Sequence, residues 1–133
     1  MKKWIKYLGY GFLTILVVLS ALIITVAQKD IPRAQLMNKY AQSPSQFMPL
    51  MGMQVHYRDE GNRADSTPIL LIHGTSSSLN TWDSVVKIIA SNPKNKKRII
   101  RFDLPAFGLT GPNPENNYGG PYYTNFVDSF LNM

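Results

Sequence analysis

Two short loops hold the residues whose types and spacing are best suited to chemistry. The first loop is His73-Gly74-Thr75-Ser76-Ser77-Ser78, and the second runs from Asp103 to Pro112. Gly74 lets the chain turn sharply, because glycine tolerates positive φ. Backbone N–H groups fixed in such a turn can stabilise the negative oxygen that develops during acyl transfer. The first loop is therefore a candidate oxyanion-binding loop, and the simpler interpretation is a tight strand-to-helix connection.

Other polar and charged patterns indicate structure rather than chemistry. Asp103 is expected to accept hydrogen bonds from nearby backbone N–H groups, and His73 is expected to hydrogen-bond within its own loop. His56 is expected at the surface or in a turn contact. Residues 94–98 form one basic run without interleaved aromatic residues, which favours a solvated loop over nucleic-acid binding. The sequence contains no cysteine and no cluster with metal-ligand spacing, so neither a disulfide nor a metal site is predicted.

The elements that must position the two loops form a simple unit. Pro68–His73 and Arg98–Phe102 are apolar runs that predict strands buried in a parallel sheet, the first of them on both faces. Between them, Trp82–Ala90 has apolar residues at helical spacing, with Asn80 or Thr81 as the candidate N-cap. Strand, helix and strand in that order predict a βαβ unit, so both loops open at the same edge of the sheet. The fold class is α/β, with helices packed on a mostly parallel sheet.

The flanking segments are less regular. Met53–Arg58 alternates apolar and polar residues as a half-buried strand does, and Asp59–Asn62 has turn chemistry. Residues 28–50 mix charge, proline and polar groups, which predicts a stalk or linker that contains one short helix, Ala34–Ala41. Tyr122–Leu131 has the apolar spacing of a further helix.

Residues 1–27 predict a single transmembrane anchor. The twenty residues from Leu8 to Ala27 carry no charged side chain, and as a helix they would span roughly 30 Å of hydrocarbon. Lysines, with Trp4 and Tyr7 among them, precede this run, so the N-terminus is expected in the cytoplasm and the remainder outside. The alternative is a signal peptide cleaved near Ala27, which would leave a secreted or periplasmic protein.

The two loops carry a resemblance to a known superfamily. A strand ending in His73-Gly74, a tryptophan at position 82, and a strand followed by Asp-x-Pro-x-Phe-Gly-x-Thr-Gly from Asp103 are similar to the N-terminal part of α/β-hydrolases. The stretch Val-His-Tyr-Arg-Asp-Glu-Gly before them resembles the early hairpin of that superfamily. The branch of esterases, epoxide hydrolases, haloalkane dehalogenases and carbon–carbon bond hydrolases is the nearest match. The resemblance implies the N-terminal half of an α/β-hydrolase fold over residues 51–133.

The resemblance also implies roles for individual residues. Thr75, or less favourably Ser76, would give the first oxyanion-hole N–H, and Trp82 and Phe107 would line or support the pocket. His73, Gly74, Asp103, Pro105 and Gly108 would shape the loops. Such hydrolases present their triad in the order serine, acid, histidine, and no Gly-x-Ser-x-Gly occurs in this sequence. Nucleophile, acid and base are therefore expected outside this chain, which on its own should be inactive.

The expected function is a membrane-anchored hydrolase that acts on an ester or a related bond, through a Ser or Asp nucleophile. Its partners would be the membrane and a small hydrophobic or ester-like substrate, with water as co-substrate, no organic cofactor and no nucleic acid. Two alternatives remain open: a non-catalytic, membrane-tethered binding protein, and a gene fragment without a function of its own.

Overall fold

The computed structural model describes residues 2–27, 31–92, 94 and 97–132, and it divides into two compact units, Met1–Ile31 and Pro32–Met133. Pro93, Asn95 and Lys96 lie outside the described residues, so the predicted solvated basic loop stays a prediction. The second unit contains, in chain order, α2 (Arg33–Tyr40), β1 (Gln46–Leu50), β2 (Met53–Gly61), β3 (Ile69–Ile72), a 3-10 turn (Leu79–Trp82), α3 (Asp83–Ser91), β4 (Arg98–Phe102) and α4 (Gly120–Leu131).

The first unit consists of one helix, α1 (Lys2–Val26). Within it, Lys3–Val26 is long and apolar enough to cross a membrane, by length and composition. At about 1.5 Å per residue its 24 residues extend roughly 36 Å. Every side chain described in this helix is exposed. A signal sequence near an N-terminus has the same properties.

The sheet of the second unit has the strand order β1-β2-β4-β3. The predicted parallel pair is confirmed, because β3 and β4 run in the same direction with Ile69 opposite Ile99 and Ile72 opposite Phe102. The other two pairings, β1 with β2 and β2 with β4, are antiparallel. The prediction of a mostly parallel sheet is therefore wrong for the described residues, and the sheet is mixed.

The two antiparallel strands extend beyond their predicted limits. β1 lies inside the stretch that predicted a linker, and it pairs along its whole length with β2. β2 continues through Asp59, Glu60 and Gly61, which pair with β4, so the turn predicted at Asp59–Asn62 begins only at Asn62. Pro49 is accommodated because β1 is an edge strand, where the proline is not required to donate to a second neighbour.

β3 forms the opposite edge of the sheet in the described residues. The prediction that it is buried on both faces is wrong, since its residues are only partly buried and Ile72 is 39% exposed. Its continuous apolar run reflects helix packing and pairing with β4 on one side only. β4 matches the prediction better, because it lies between β2 and β3 and buries Ile99, Arg101 and Phe102.

Helices cover both faces of the sheet. On one face, α4 contributes Tyr122, Phe126 and Phe130, four residues apart, which pack against a cluster that includes Val55 and Phe102. The Phe102 ring lies 5.7 Å from Phe126 and 4.4 Å from Phe130, centroid to centroid. On the other face, Val86 of α3 and Leu79 of the 3-10 turn are buried near Ile99 and Arg101.

The helix predicted at Trp82–Ala90 is confirmed as α3, but its N-terminus is built differently from the prediction. Neither Asn80 nor Thr81 is its N-cap, because the chain enters α3 through the 3-10 turn and Trp82 holds the cap position without a side-chain hydrogen bond. Instead, the Asp103 carboxylate accepts from the Leu79 N–H at 2.7 Å. The first N–H of the 3-10 turn is therefore hydrogen-bonded by the residue that directly follows β4. The helix expected at Ala34–Ala41 is confirmed as α2.

Candidate functional site

The two loops lie side by side at the carboxyl ends of β3 and β4, and His73 joins them. Its ring is buried, Nδ1–H donates to the Gly74 carbonyl at 2.8 Å, and Nε2 accepts from the Leu104 N–H at 3.0 Å. These two contacts assign a neutral imidazole with its proton on Nδ1. The predicted hydrogen bond within the first loop is confirmed. Because the His73 ring also accepts from Leu104 in the second loop, it sets the spacing between the two loops.

The turn of the first loop is made at Ser76 rather than at Gly74. Ser76 has φ +58°, whereas Gly74 has no positive φ and no neighbouring atoms that a Cβ would meet. The conformational role expected of Gly74 is therefore wrong. A serine in the left-handed region is held there by its surroundings at some cost in free energy.

Thr75 and Ser76 are both exposed in this turn. Within the part of the chain that the structure describes, neither of their backbone N–H groups donates to another protein group. Two adjacent N–H groups on exposed residues, without a described protein acceptor, are available to a bound oxygen atom. This is the property that an oxyanion-binding turn requires.

Asp103 organises the second loop. It is buried, Oδ1 accepts from the Leu79 N–H, and Oδ2 accepts from the Leu109 N–H at 2.8 Å. Its carbonyl accepts from the Thr110 hydroxyl at 2.8 Å. The expectation that this carboxylate bonds nearby backbone N–H groups is confirmed, so Asp103 holds both loops against the end of β4.

The path of the second loop depends on residues with left-handed backbone. Gly108 has φ +51°, and a Cβ there would overlap the Asp103 carboxylate, so glycine is required for the close approach. Ala106 has φ +71°, which is the conformation that a glycine would adopt at lower cost. Pro105 is buried, and its carbonyl accepts from the Tyr123 hydroxyl of α4 at 3.2 Å.

The prediction that His56 makes a surface or turn contact is wrong, and no local pattern around it indicated its environment. His56 is completely buried, stacked on Phe47, with Nδ1 2.7 Å from Asp103 Oδ2 and Nε2 2.9 Å from Ser45 Oγ. This connectivity is that of a Ser-His-Asp triad. However, Ser45 Oγ also accepts from Arg58 Nε at 3.0 Å and donates to the Tyr40 carbonyl, so the hydroxyl is occupied by the fold.

A second buried network, also absent from the sequence-based prediction, lies beneath the first loop. Arg101 is 2% exposed, and it donates to Glu60, to Asp83 at 2.6 Å and to the Leu79 carbonyl at 3.0 Å. The backbone of Leu79 is thus bonded at both of its polar groups, since its N–H donates to Asp103 and its carbonyl accepts from Arg101. An arginine inside the apolar run Ile-Ile-Arg-Phe was the available signal, because a buried guanidinium requires carboxylate partners.

Trp82 and Phe107 occupy supporting positions. The Phe107 ring packs edge-on against His73, with 5.7 Å between ring centroids. Trp82 is partly buried, and its Nε1 is enclosed without a hydrogen-bond partner among the described residues. The role of both side chains in lining a substrate pocket stays a prediction. No group of three or more metal-ligating side chains occurs in the described ranges.

A mixed sheet with helices on both faces, and adjacent strand-end loops locked by a histidine and an aspartate, defines an α/β-hydrolase-like fold. The described chain is similar to the Cif epoxide hydrolase from Acinetobacter nosocomialis, with TM-score 0.57 and 28% identity over 80% of this chain and 35% of that one. It is also similar in fold to the haloalkane dehalogenase DatA from Agrobacterium tumefaciens C58, with TM-score 0.54 and 22% identity over 66% of this chain and 28% of that one.

Among curated proteins, the chain is similar to a proline iminopeptidase from Lactobacillus acidophilus. The two are 36% identical over 56 residues, which is 42% of this chain and 18% of that protein. No family model matches the chain. The chain spans about a third of the length of the epoxide hydrolase and less than a fifth of the iminopeptidase.

Proposed function

We propose that this chain supplies the oxyanion-binding loop and its supporting sheet to a membrane-anchored α/β-fold hydrolase. The observation that carries the proposal is the pair of N–H groups at Thr75 and Ser76, which donate to no protein group among the described residues, in a loop that His73 holds beside the second loop. The reaction would be hydrolysis of an ester or a related carbonyl, epoxide or carbon–halogen bond, with water as co-substrate. The backbone N–H of Thr75 would stabilise the oxygen that becomes negative in the transition state.

The nucleophile, acid and base would come from residues that these 133 positions do not include. No Gly-x-Ser-x-Gly occurs in the sequence, and both histidines are bound in buried hydrogen-bond networks. On this proposal the chain alone turns over no ester, and a p-nitrophenyl ester assay tests it. Turnover that a serine-directed phosphonate abolishes would contradict the proposal. A reading frame continuing downstream into Gly-x-Ser-x-Gly would support it.

The role of the Thr75 N–H is testable in a polypeptide that joins this chain to the remaining strands of the domain. Thr75→Pro removes the N–H, and we expect kcat to fall about 10²- to 10³-fold, as for the loss of one oxyanion donor. Thr75→Ala keeps the N–H and should stay close to the unsubstituted enzyme. Equal losses in the two variants would show that the side chain, not the backbone donor, matters.

The anchor belongs to the same proposal. The length and apolar character of Lys3–Val26 support a retained transmembrane helix, and the lysines before it support a cytoplasmic N-terminus with the hydrolase part on the other side. Carbonate extraction of expressed protein should leave it in the membrane pellet at its full mass. Recovery in the soluble fraction at reduced mass would instead indicate a cleaved signal peptide.

A non-catalytic binding protein is the second candidate. The observation that favours it is that Ser45, His56 and Asp103 have the connectivity of a triad while the serine hydroxyl is bound to Arg58 and Tyr40. A clean stop codon after Met133, together with stable expression and no esterase activity, would select this candidate.

A further inference from the structure

A cavity of about 440 Å³ lies between α2 and the two loops. Its volume is within the range of roughly 300–1,000 Å³ that is typical of small-molecule sites. Gly74, Thr75 and Ser76 are not among the residues that form its walls, so it is distinct from the candidate oxyanion site. The walls come from α2, from the region around the 3-10 turn and from the second loop; the side chains that matter below are Leu36, Tyr40, Ser78, Asn80, Thr81 and Leu109.

α2 forms one wall of this cavity and is held mainly at its two ends. At its start, Arg33 Nη2 donates to the Leu109 carbonyl at 3.1 Å. At its end, the Tyr40 carbonyl accepts from Arg58 Nη2 at 3.2 Å and from the Ser45 hydroxyl at 3.2 Å. No residue of the helix is fully buried. The middle of α2 therefore lies over open space, and Leu36 faces the cavity instead of a packed core.

The lining has one apolar and one polar part. Leu36, Leu109 and the ring of Tyr40 offer hydrocarbon, while Ser78, Asn80 and Thr81 offer hydroxyl and amide groups. A ligand that satisfies both parts has a hydrocarbon portion and a head group that donates and accepts hydrogen bonds. A purely apolar ligand would leave the polar groups without partners, at a cost in free energy.

The charge of the wall selects the head group further. Among the lining residues that the structure describes, Asp103 is the one that carries a formal charge at neutral pH, and it would repel an anion. Both of its carboxylate oxygens already accept hydrogen bonds, from Leu79 and from Leu109, with His56 adjacent. Because Asp103 is also only 1% exposed, a cationic head could not pair closely with its carboxylate, and an uncharged, hydroxyl-bearing head fits better.

We propose that this cavity binds an uncharged, single-chain amphiphile with a hydroxyl-bearing head, of the monoacylglycerol class. The alkyl chain contacts Leu36, Tyr40 and Leu109, and the head hydrogen-bonds to Ser78, Asn80 and Thr81. The proposal does not depend on hydrolysis, because the site lies apart from the Thr75–Ser76 donors.

Photo-crosslinking of the full chain in phosphatidylcholine nanodiscs tests the proposal. The probe is a monoacylglycerol with a diazirine in its acyl chain, and mass spectrometry maps the modified residues. We expect adducts on the peptides that contain Leu36, Tyr40 or Leu109. Adducts confined to α1, or spread evenly over the exposed surface, would overturn the proposal even in the unsubstituted chain.

Two variants on the same helix give the matched comparison. Leu36→Trp fills the cavity and should lower labelling about tenfold, whereas Gln35→Trp adds the same ring at an exposed position and should leave it within about twofold. Circular dichroism checks that both retain the fold. Equal labelling of the two variants would overturn the proposal.

Competition with unlabelled amphiphiles of the same chain length tests the head-group argument. Unlabelled monoacylglycerol should displace the probe, while the fatty acid and the alkyl trimethylammonium ion should each require about tenfold higher concentration. Equal displacement by either ion would overturn the assignment of an uncharged head. The readout is binding, so failure here would leave the hydrolase proposal unaffected.

Discussion

Ala106 is an L-residue in a position that favours glycine. Its φ of +71° lies in the left-handed region, which costs an L-residue about 1–2 kcal/mol relative to right-handed backbone. Ala106→Gly relieves that cost but makes the unfolded chain more flexible, by about 0.4–1 kcal/mol. We expect the variant to be more stable by about 0.5–1 kcal/mol, measured by urea unfolding of the full chain in detergent.

Ala64 provides the control for this prediction. It is exposed in a turn and has no positive φ, so Ala64→Gly should only lower stability slightly. If both substitutions destabilise the protein equally, the left-handed conformation of Ala106 carries no strain.

Ala106 is a residue type that does not suit its position, whereas His56 is the residue type that its surroundings require. Replacing it with alanine removes a partner of the buried Asp103 carboxylate and opens a cavity beside Phe47. We expect His56→Ala to lower the free energy of unfolding by about 3–5 kcal/mol. Gln54→Ala, on the same strand but exposed, should change it by no more than about 0.5 kcal/mol. A small effect at position 56 would mean that the loop is held by the backbone contacts alone.

At the scale of elements, local patterns predicted the parallel pair β3–β4 and the helices α2, α3 and α4. Their signals are contiguous in sequence, because apolar spacing and helix-ending residues act over one or two turns. The antiparallel strands were harder to predict from local patterns. β1 contains Pro49 and no clean alternation, and the charged end of β2, Asp59 and Glu60, has its partners Arg98 and Arg101 on β4, about forty residues further along the chain.

In the candidate site, too, some features were predictable from local patterns and others were not. The hydrogen bonds of His73 within its loop and of Asp103 with backbone N–H groups were predicted correctly from the loops in which these residues stand. The burial of His56 was not predictable from its neighbours, because it depends on Asp103, 47 residues further along the chain. The left-handed residue of the first loop was assigned to Gly74 by residue type, but the fold imposes that conformation on Ser76.

Asp65 joins two elements through its charge, and it gives a prediction on pH. Its carboxylate accepts from the Thr67 N–H at 3.0 Å and from the Arg98 N–H at 3.2 Å, so it fixes the β2–β3 connection to the start of β4. These backbone hydrogen bonds, with the Thr67 hydroxyl and Lys97 nearby, lower the pKa of Asp65 from 3.8 to about 2. A carboxyl with a lowered folded-state pKa stabilises the protein above its unfolded-state pKa, and that contribution disappears as pH falls through the folded-state value.

We therefore expect Asp65→Asn to reduce the loss of stability between about pH 4 and pH 2. Urea unfolding at a series of pH values measures the slope for both proteins. The variant should keep some slope, because Arg98 also lowers the pKa of Asp59. Parallel curves for the two proteins would show that the Asp65 contacts do not persist in solution.

At the scale of the whole molecule, the sheet has two edges of different character. β1 presents Pro49, which discourages pairing with a further strand. β3 presents the apolar run Ile-Leu-Leu-Ile, and its last residue, Ile72, lines a groove together with Leu104 and Leu131. Edge strands that are apolar and unpaired template association between chains. The second unit should therefore associate through β3 when nothing else covers that edge.

Light scattering on a polypeptide of residues 32–133 should show association that increases with protein concentration. Ile72→Lys places a charge at the β3 edge, where the side chain is 39% exposed, and should reduce this association while leaving the melt unchanged. Ile88→Lys adds the same charge on α3, where the side chain is 71% exposed, and should reduce it much less. A monomer with a cooperative melt in the unsubstituted polypeptide would show that β3 is a tolerated edge, and would favour the independent binding protein over a part of a larger hydrolase domain.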